Sequence, residues 1–176
     1  MTHFVLLAIV SVLHVEVAEL QGPQGPKRVD GCPLYFERHG DSCYHAFDNP
    51  LLTWWEAMSF CALYADGKGT LAMIEDNAEQ TYIEGVLRSK FPTHTARDYW
   101  LGANDLVQEG TWVWIKRDET VEYTKWGPGE PNNGRAENCL ALYDDLDYLW
   151  NDAPCNLQEA FICEAPVQSS QPAVVG

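Results

Sequence analysis

Two stretches carry apolar residues at helical spacing. Thr53-Trp54-Trp55-Glu56 has the form of a capping box, in which the threonine hydroxyl takes a first-turn amide and the glutamate reaches back to the cap. Trp54, Ala57, Met58 and Cys61 then fall on one face. Asp76-Asn77-Ala78-Glu79 repeats the start signal, and Ala78, Ile83, Val86 and Leu87 supply a second stripe predicted to be buried. Beyond residue 98 the texture changes. Short apolar runs at Tyr99–Gly102, Thr111–Ile115, Cys139–Leu142 and Ala160–Cys163 alternate with Gly-, Pro- and Asn-rich connections and read as strands. Helices first and irregular strands after predict an α+β fold. Between the strands lies a long unpatterned stretch, Asp118–Ala136, with three glycines, two prolines, Tyr123 and Trp126. A loop of this length inside a compact domain is usually functional or disordered. Its aromatics and the cysteines nearby favour function.

The ends of the chain follow other rules. The apolar run from Phe4 to Leu13, broken only by Ser11, is too short to span a bilayer and has the length of a signal-peptide core. We assign residues 1–18 to a signal peptide. Residues 19–30 read as a linker, whose two Gly-X-Y triplets (Gly22–Lys27) are far too few for a collagen helix. The compact domain is expected over residues 31–164, and the Pro-, Gln- and Ser-rich residues 165–176 as a flexible tail. No later segment is long and apolar enough for membrane insertion, so a secreted, extracellular protein is expected.

Composition narrows the chemistry. The net charge of −15 disfavours nucleic acid and anionic membranes and tolerates bound cations. Six cysteines (Cys32, Cys43, Cys61, Cys139, Cys155, Cys163) without a C-x-x-C pair argue for three disulfides in an oxidising compartment, with 15 connectivities open to sequence alone. There is no G-x-S-x-G elbow, no Gly-rich phosphate loop and no histidine in a recognisable triad. No enzyme is expected.

The densest polar chemistry surrounds the long loop. Glu130 and Asn132 flank Pro131, Glu137 follows, and Asn151-Asp152 comes after Trp150. Three carboxylates and two amide carbonyls, with no Cys or His among them, are hard oxygen ligands of the kind Ca²⁺ prefers. The same residue types also make ordinary turns, so composition leaves both readings open. A glycosidase pair of Glu130 and Glu137 is a third, but a nearby cation lowers a carboxylate's pKa instead of raising one to act as acid.

W-L-G at 100–102, E-P-N at 130–132, E-N-C at 137–139, W-N-D at 150–152 and the final F-I-C-E, taken with the cysteine order, resemble a C-type lectin-like domain over Cys32–Glu164. The G-C-P-L start and the Y-L-W-N-D ending are similar to secreted perlucin-like lectins of molluscs. The resemblance implies two helices, small irregular antiparallel sheets, a long calcium-binding loop and the pairs Cys32–Cys43, Cys61–Cys163 and Cys139–Cys155. It implies Glu130, Asn132, Glu137, Asn151 and Asp152 as Ca²⁺ ligands, with Pro131 cis. Sugar hydroxyls would meet Glu130, Asn132, Glu137 and Asn151, and E-P-N in that order goes with mannose-type glycans bearing vicinal equatorial hydroxyls (mannose, GlcNAc, fucose). A second, weaker ion would use Asp105, Glu109, Asn133, Glu137 and Asn138, the two amides standing where better-equipped members carry aspartates. Trp126 reads more readily as structure than as a sugar platform. Innate recognition of microbial glycans is the expected role. The alternative is an extracellular matrix protein of biomineralisation, whose acidic run Asp144, Asp145 and Asp147 would meet a mineral surface, where the plainer reading is a solvated edge. One shallow sugar site binds weakly, so a homo-oligomer fits the use, though no oligomerising coil is legible.

Overall fold

The computed structural model describes residues 28–92 and 97–168, so the expected signal peptide lies outside the described residues. In chain order the strands are β1 (Arg28–Val29), β2 (Cys32–Pro33), β3 (Glu37–His39), β4 (Ser42–Leu52), β5 (Thr70–Leu71), β6 (Tyr99–Asn104), β7 (Val113–Trp114), β8 (Glu119–Thr120), β9 (Cys139–Tyr143), β10 (Leu149–Ala153) and β11 (Glu159–Pro166). Helix α1 (Trp54–Tyr64) follows β4, and α2 (Asn77–Lys90) follows β5.

Both helices start where their caps place them. Thr53 and Glu56 make the full reciprocal box, and Asp76 Oδ1 accepts the Glu79 amide at 2.8 Å. Helix α1 buries Trp54, Ala57 and Cys61. Helix α2 differs from expectation: Ala78 is exposed and Val86 only half-buried, while Gln80 joins Ile83 and Leu87 on the inner face. A polar side chain can hold that place because each of its groups is matched, as described below.

Instead of several small antiparallel sheets, the main sheet is one of nine strands, ordered β10-β9-β6-β11-β4-β3 along its path, with β5 on β11 and β7 joining β6 to β8. It is mixed, because β6 and β11 run parallel. The expected strand at Thr111–Ile115 shortens to Val113–Trp114. Strand β11 continues past residue 164: Ala165 pairs with Cys43, and Gln168 N–H donates to Gly31 O at 3.0 Å. The beginning and end of the domain therefore meet.

The three implied disulfides form, Cys32–Cys43, Cys61–Cys163 and Cys139–Cys155. Three fully buried tryptophans fasten elements through their indole N–H groups as well as by packing. Trp54 donates to Leu101 O at 2.7 Å and Trp100 to Leu52 O at 2.9 Å. Trp150 donates to Gln80 Oε1 at 2.8 Å. Gly102 lies where β6 crosses the Leu71–Ala72 backbone, and a Cβ there would stand 2.8 Å from Leu71 O. Only glycine permits that approach.

Candidate calcium and carbohydrate site

The long loop is held in place by α2 and β10. Gln80 Nε2 donates to Tyr148 O at 3.0 Å and to Glu84 Oε1 at 2.9 Å, and its carbonyl takes the Trp150 indole. Glu84 also accepts from Lys125 Nζ at 2.7 Å, which draws the loop to the helix. Lys125 and Gly127 then bracket Trp150: its N–H donates to Lys125 O and its carbonyl accepts from Gly127 N–H, both at 2.8 Å. Trp126, between them, packs on Trp112 and Trp150 with ring centroids 5.0 and 5.7 Å away. It is a structural residue here, as the plainer reading has it.

Beyond this anchorage the chain turns through Gly127, whose carbonyl accepts the Glu130 N–H at 3.1 Å, and the Glu130–Pro131 peptide is cis. Asn132 is bonded in two directions. Its backbone N–H donates to Asp152 Oδ1 at 2.9 Å, and its side-chain Nδ2 donates to Glu130 Oε2 at 2.5 Å. Glu130, Asn132 and Asp152, which lie in two separate stretches of sequence, thus form one hydrogen-bonded cluster.

Asp152 is buried on β10, opposite Leu140 of β9. Burial, reinforced by the Glu130 carboxylate beside it, pushes the Asp152 carboxyl up to about 6, against the Asn132 amide bond that favours its charged form. Two carboxylates in contact at a part-buried place repel each other when both are ionised. A cation between them would relieve that repulsion, and the donors are all oxygen. This donor set fits Ca²⁺ and not zinc.

The other expected ligands stand at different distances from this cluster. Asn151 is half-buried and immediately precedes Asp152 on β10. Glu137 follows a 3₁₀ turn (Gly134–Ala136), and the next residue, Asn138, bonds Ala153 O at 3.2 Å, so Glu137 borders the end of β10. Among the described residues no three acidic, histidine or cysteine side chains converge on a single point. The structure joins Glu130, Asn132 and Asp152 directly, and brings Asn151 and Glu137 in by chain and register.

The residues expected for a second ion also share one region. Asp105 N–H donates to Asn138 O at 3.2 Å, and Asp105 Oδ2 accepts from Gly110 N–H at 2.8 Å. The other carboxylate oxygen, Oδ1, is buried without a hydrogen-bond partner, as is Asn104 Nδ2. Buried orphans of this kind call for an explanation, and a cation is one that suits a carboxylate oxygen. The Glu109 carboxylate lies beside Gly134, 3.8 Å from where a Cβ would stand, and Asn133 opens the same turn in the left-handed region (φ 57°).

The acidic run is for the most part the solvated edge of the plainer reading: Asp145 and Asp147 are exposed, Asp147 pairing with Arg88 at 2.5 Å, while Asp144 is 2 % exposed. Sequence reasoning missed the fasteners Gln80, Glu84 and Lys125. The spacing 80, 83, 87 placed Gln80 on the inner face, but an apolar filter discards a glutamine.

Comparison with known proteins agrees with this geometry. The family model described as "Lectin C-type domain" matches residues 51–165. Perlucin of Haliotis laevigata is 40 % identical over 136 residues, covering 76 % of this chain and 83 % of its own. A "C-type lectin mannose-binding isoform" of Notechis scutatus scutatus is 37 % identical over 139 residues, covering 76 % of this chain and 82 % of its own. Among solved structures, the C-type lectin CEL-I from Cucumaria echinata superimposes with a TM-score of 0.69 at 30 % identity, over 78 % of this chain and 99 % of that one.

Proposed function

This chain belongs to the C-type lectin domain family, whose members bind carbohydrate without catalysis, and we propose that it is a secreted, calcium-dependent lectin for mannose-type sugars. The observation that carries the reading is the Glu130–Asn132–Asp152 cluster. Glu130, Asn132, Glu137, Asn151 and Asp152 would hold the ion, which when bound supplies Lewis-acid coordination to two vicinal hydroxyls. The chain's own groups do the orienting. Glu130 and Glu137 accept hydroxyl protons, while Asn132 and Asn151 can donate through their amide NH₂ groups. That alternation suits a pair of equatorial hydroxyls. The mannose-binding name of the snake relative supports the same specificity. Innate recognition of microbial glycans is the use that fits a soluble site of this type.

The alternative role on calcium carbonate would have only Asp145 and Asp147 of the acidic run to present, since Asp144 is buried and Asp147 already pairs with Arg88. The test is retention on mannose-agarose in millimolar-range calcium, an order suited to extracellular modules, with release by EDTA. A protein that passes through the column unretained in calcium would overturn the proposal.

A further inference from the structure

The turn that follows Asn132 carries a dipeptide with a chemistry of its own. Asn133 is exposed and Gly134 follows it, the one Asn-Gly pair in the chain. Glycine brings no Cβ to crowd its backbone nitrogen. That nitrogen can therefore attack the side-chain amide carbon of the asparagine before it. We propose that Asn133 is a site of spontaneous deamidation, through which the region expected for a second ion acquires a further carboxylate.

The conversion balances with water alone. A bond forms between Gly134 N and Asn133 Cγ, the Cγ–Nδ2 bond breaks, and the Gly134 amide proton leaves with Nδ2 as ammonia. The cyclic imide left behind takes up one water. Hydrolysis of the new Cγ–N bond restores the backbone and leaves aspartate. Hydrolysis of the original C–N bond leaves isoaspartate, with the chain routed through the former side chain. One amide and one water become one carboxylic acid and one ammonia, and nothing is oxidised or reduced.

The local structure favours Asn133 over the other amides of the loop. Its side chain makes no capping bond to the turn. The turn is closed by Ala136 N–H on Asn133 O at 3.3 Å and Glu137 N–H on Gly134 O at 2.8 Å, neither of which engages the attacking nitrogen. Ring closure must rotate the Asn133 Cα–C bond away from its ψ of −1°. Space permits this, since a Cβ built on Gly134 would meet nothing nearer than the Glu109 carboxylate at 3.8 Å. Asn132, by contrast, is held through Nδ2 by Glu130 and through N–H by Asp152, and the residue after it carries a side chain. Asn138 donates Nδ2 to Arg135 O at 2.9 Å and precedes the disulfide-bonded Cys139.

The product changes the charge where it matters. A carboxylate at 133 would join the turn that the Glu109 carboxylate borders, in the region where buried Asp105 Oδ1 has no hydrogen-bond partner. Added ligand charge raises affinity for a hard cation. This consequence rests on the calcium reading, whereas the modification does not.

The test begins with incubation of the folded full chain in EDTA at mildly alkaline pH, then tryptic digestion and tandem mass spectrometry. Asn133 is expected to gain one mass unit, as aspartate and isoaspartate together, while Asn132 in the same tryptic peptide and Asn138 do not. Asn133→Asp, which is one of the two products, is then titrated with calcium. It is expected to bind the second ion roughly tenfold tighter than the unmodified chain, the worth in water of one unit charge about 6 Å from a divalent ion. An Asn133 that stays intact in the folded chain while the urea-unfolded chain converts it would overturn the proposal. So would equal conversion at Asn132 or Asn138, or second-ion binding by Asn133→Asp no tighter than that of the unmodified chain. Failure of the lectin reading would show separately, as passage through mannose-agarose in calcium without retention.

Discussion

Asp152 is the member of the proposed site whose protonation the fold shifts. Its folded pKa, about 6, stands above the ordinary value of 3.8. In the calcium-free protein its contribution to stability is therefore fully present below about pH 4 and is lost as pH rises through about 6. Calcium bound at the proposed site would reverse the preference, because the ion would take the carboxylate and exclude the proton. Calcium affinity, followed by calorimetry, is expected to fall as pH drops below about 6, and Asp152→Asn is expected to abolish retention on mannose-agarose. In the proposed site, specificity would rest on the two residues flanking Pro131. Glu130→Gln with Asn132→Asp reverses which side donates and which accepts, so galactose is expected to elute the variant better than mannose does. Unchanged mannose preference would contradict the hydrogen-bond account. The motifs around these positions were legible because their chemistry is local. The bond from Asn132 N–H to Asp152 was not, because it spans 20 residues of sequence and depends on how the loop is carried.

The carriers of that loop are helix α2 and strand β10, joined through Gln80. Gln80→Leu keeps the volume and leaves the Trp150 indole N–H buried without its acceptor, which costs roughly 1–3 kcal/mol. Urea denaturation is expected to show that loss, accompanied by weaker calcium binding as the loop loosens. The crossing at Gly102 is less forgiving, since Gly102→Ala sets a methyl 2.8 Å from a backbone oxygen. Overpacking of this kind costs roughly 1–3 kcal/mol, and a lowered thermal midpoint would report it. A third junction brings the start of β6, the turn after β9 and the start of β11 together. Asp98 accepts the Asp144 N–H and lies near Glu159. Burial first, then the charges of Glu159, Asp145 and Asp144, pushes its carboxyl up to about 7. The sign is the same as for the free Asp152: stability from this group is present at low pH and lost as pH rises through about 7. Asp98→Asn keeps an acceptor for Asp144 and is expected to raise the melting temperature above neutral pH and to flatten its pH dependence. Helix starts were readable from Thr53 and Asp76 because a cap is a short-range device. The inward turn of Gln80 and the burial of Asp144 were not, because each depends on partners more than 40 residues away.

Across the full domain, the proposed calcium site would couple to the fold. An ion that binds the folded chain alone raises stability by an amount set by its concentration relative to Kd. EDTA is therefore expected to lower the melting temperature, and added calcium to restore it in a concentration-dependent way. The α+β class was available from the order of helical and strand patterns along the chain, and the three disulfide pairs from the family resemblance. The sheet's mixed character was not, because the parallel contact of β6 with β11 joins segments some 60 residues apart with no local signature.

The bond between Gln168 N–H and Gly31 O has a further consequence. Chain enters and leaves the domain at one doorway, so a tether pulling on both ends would strain that bond before it reached the sugar loop. A domain hinged in this way can be inserted into a surface loop of a host protein, because its two ends already span the short gap that such a graft must close.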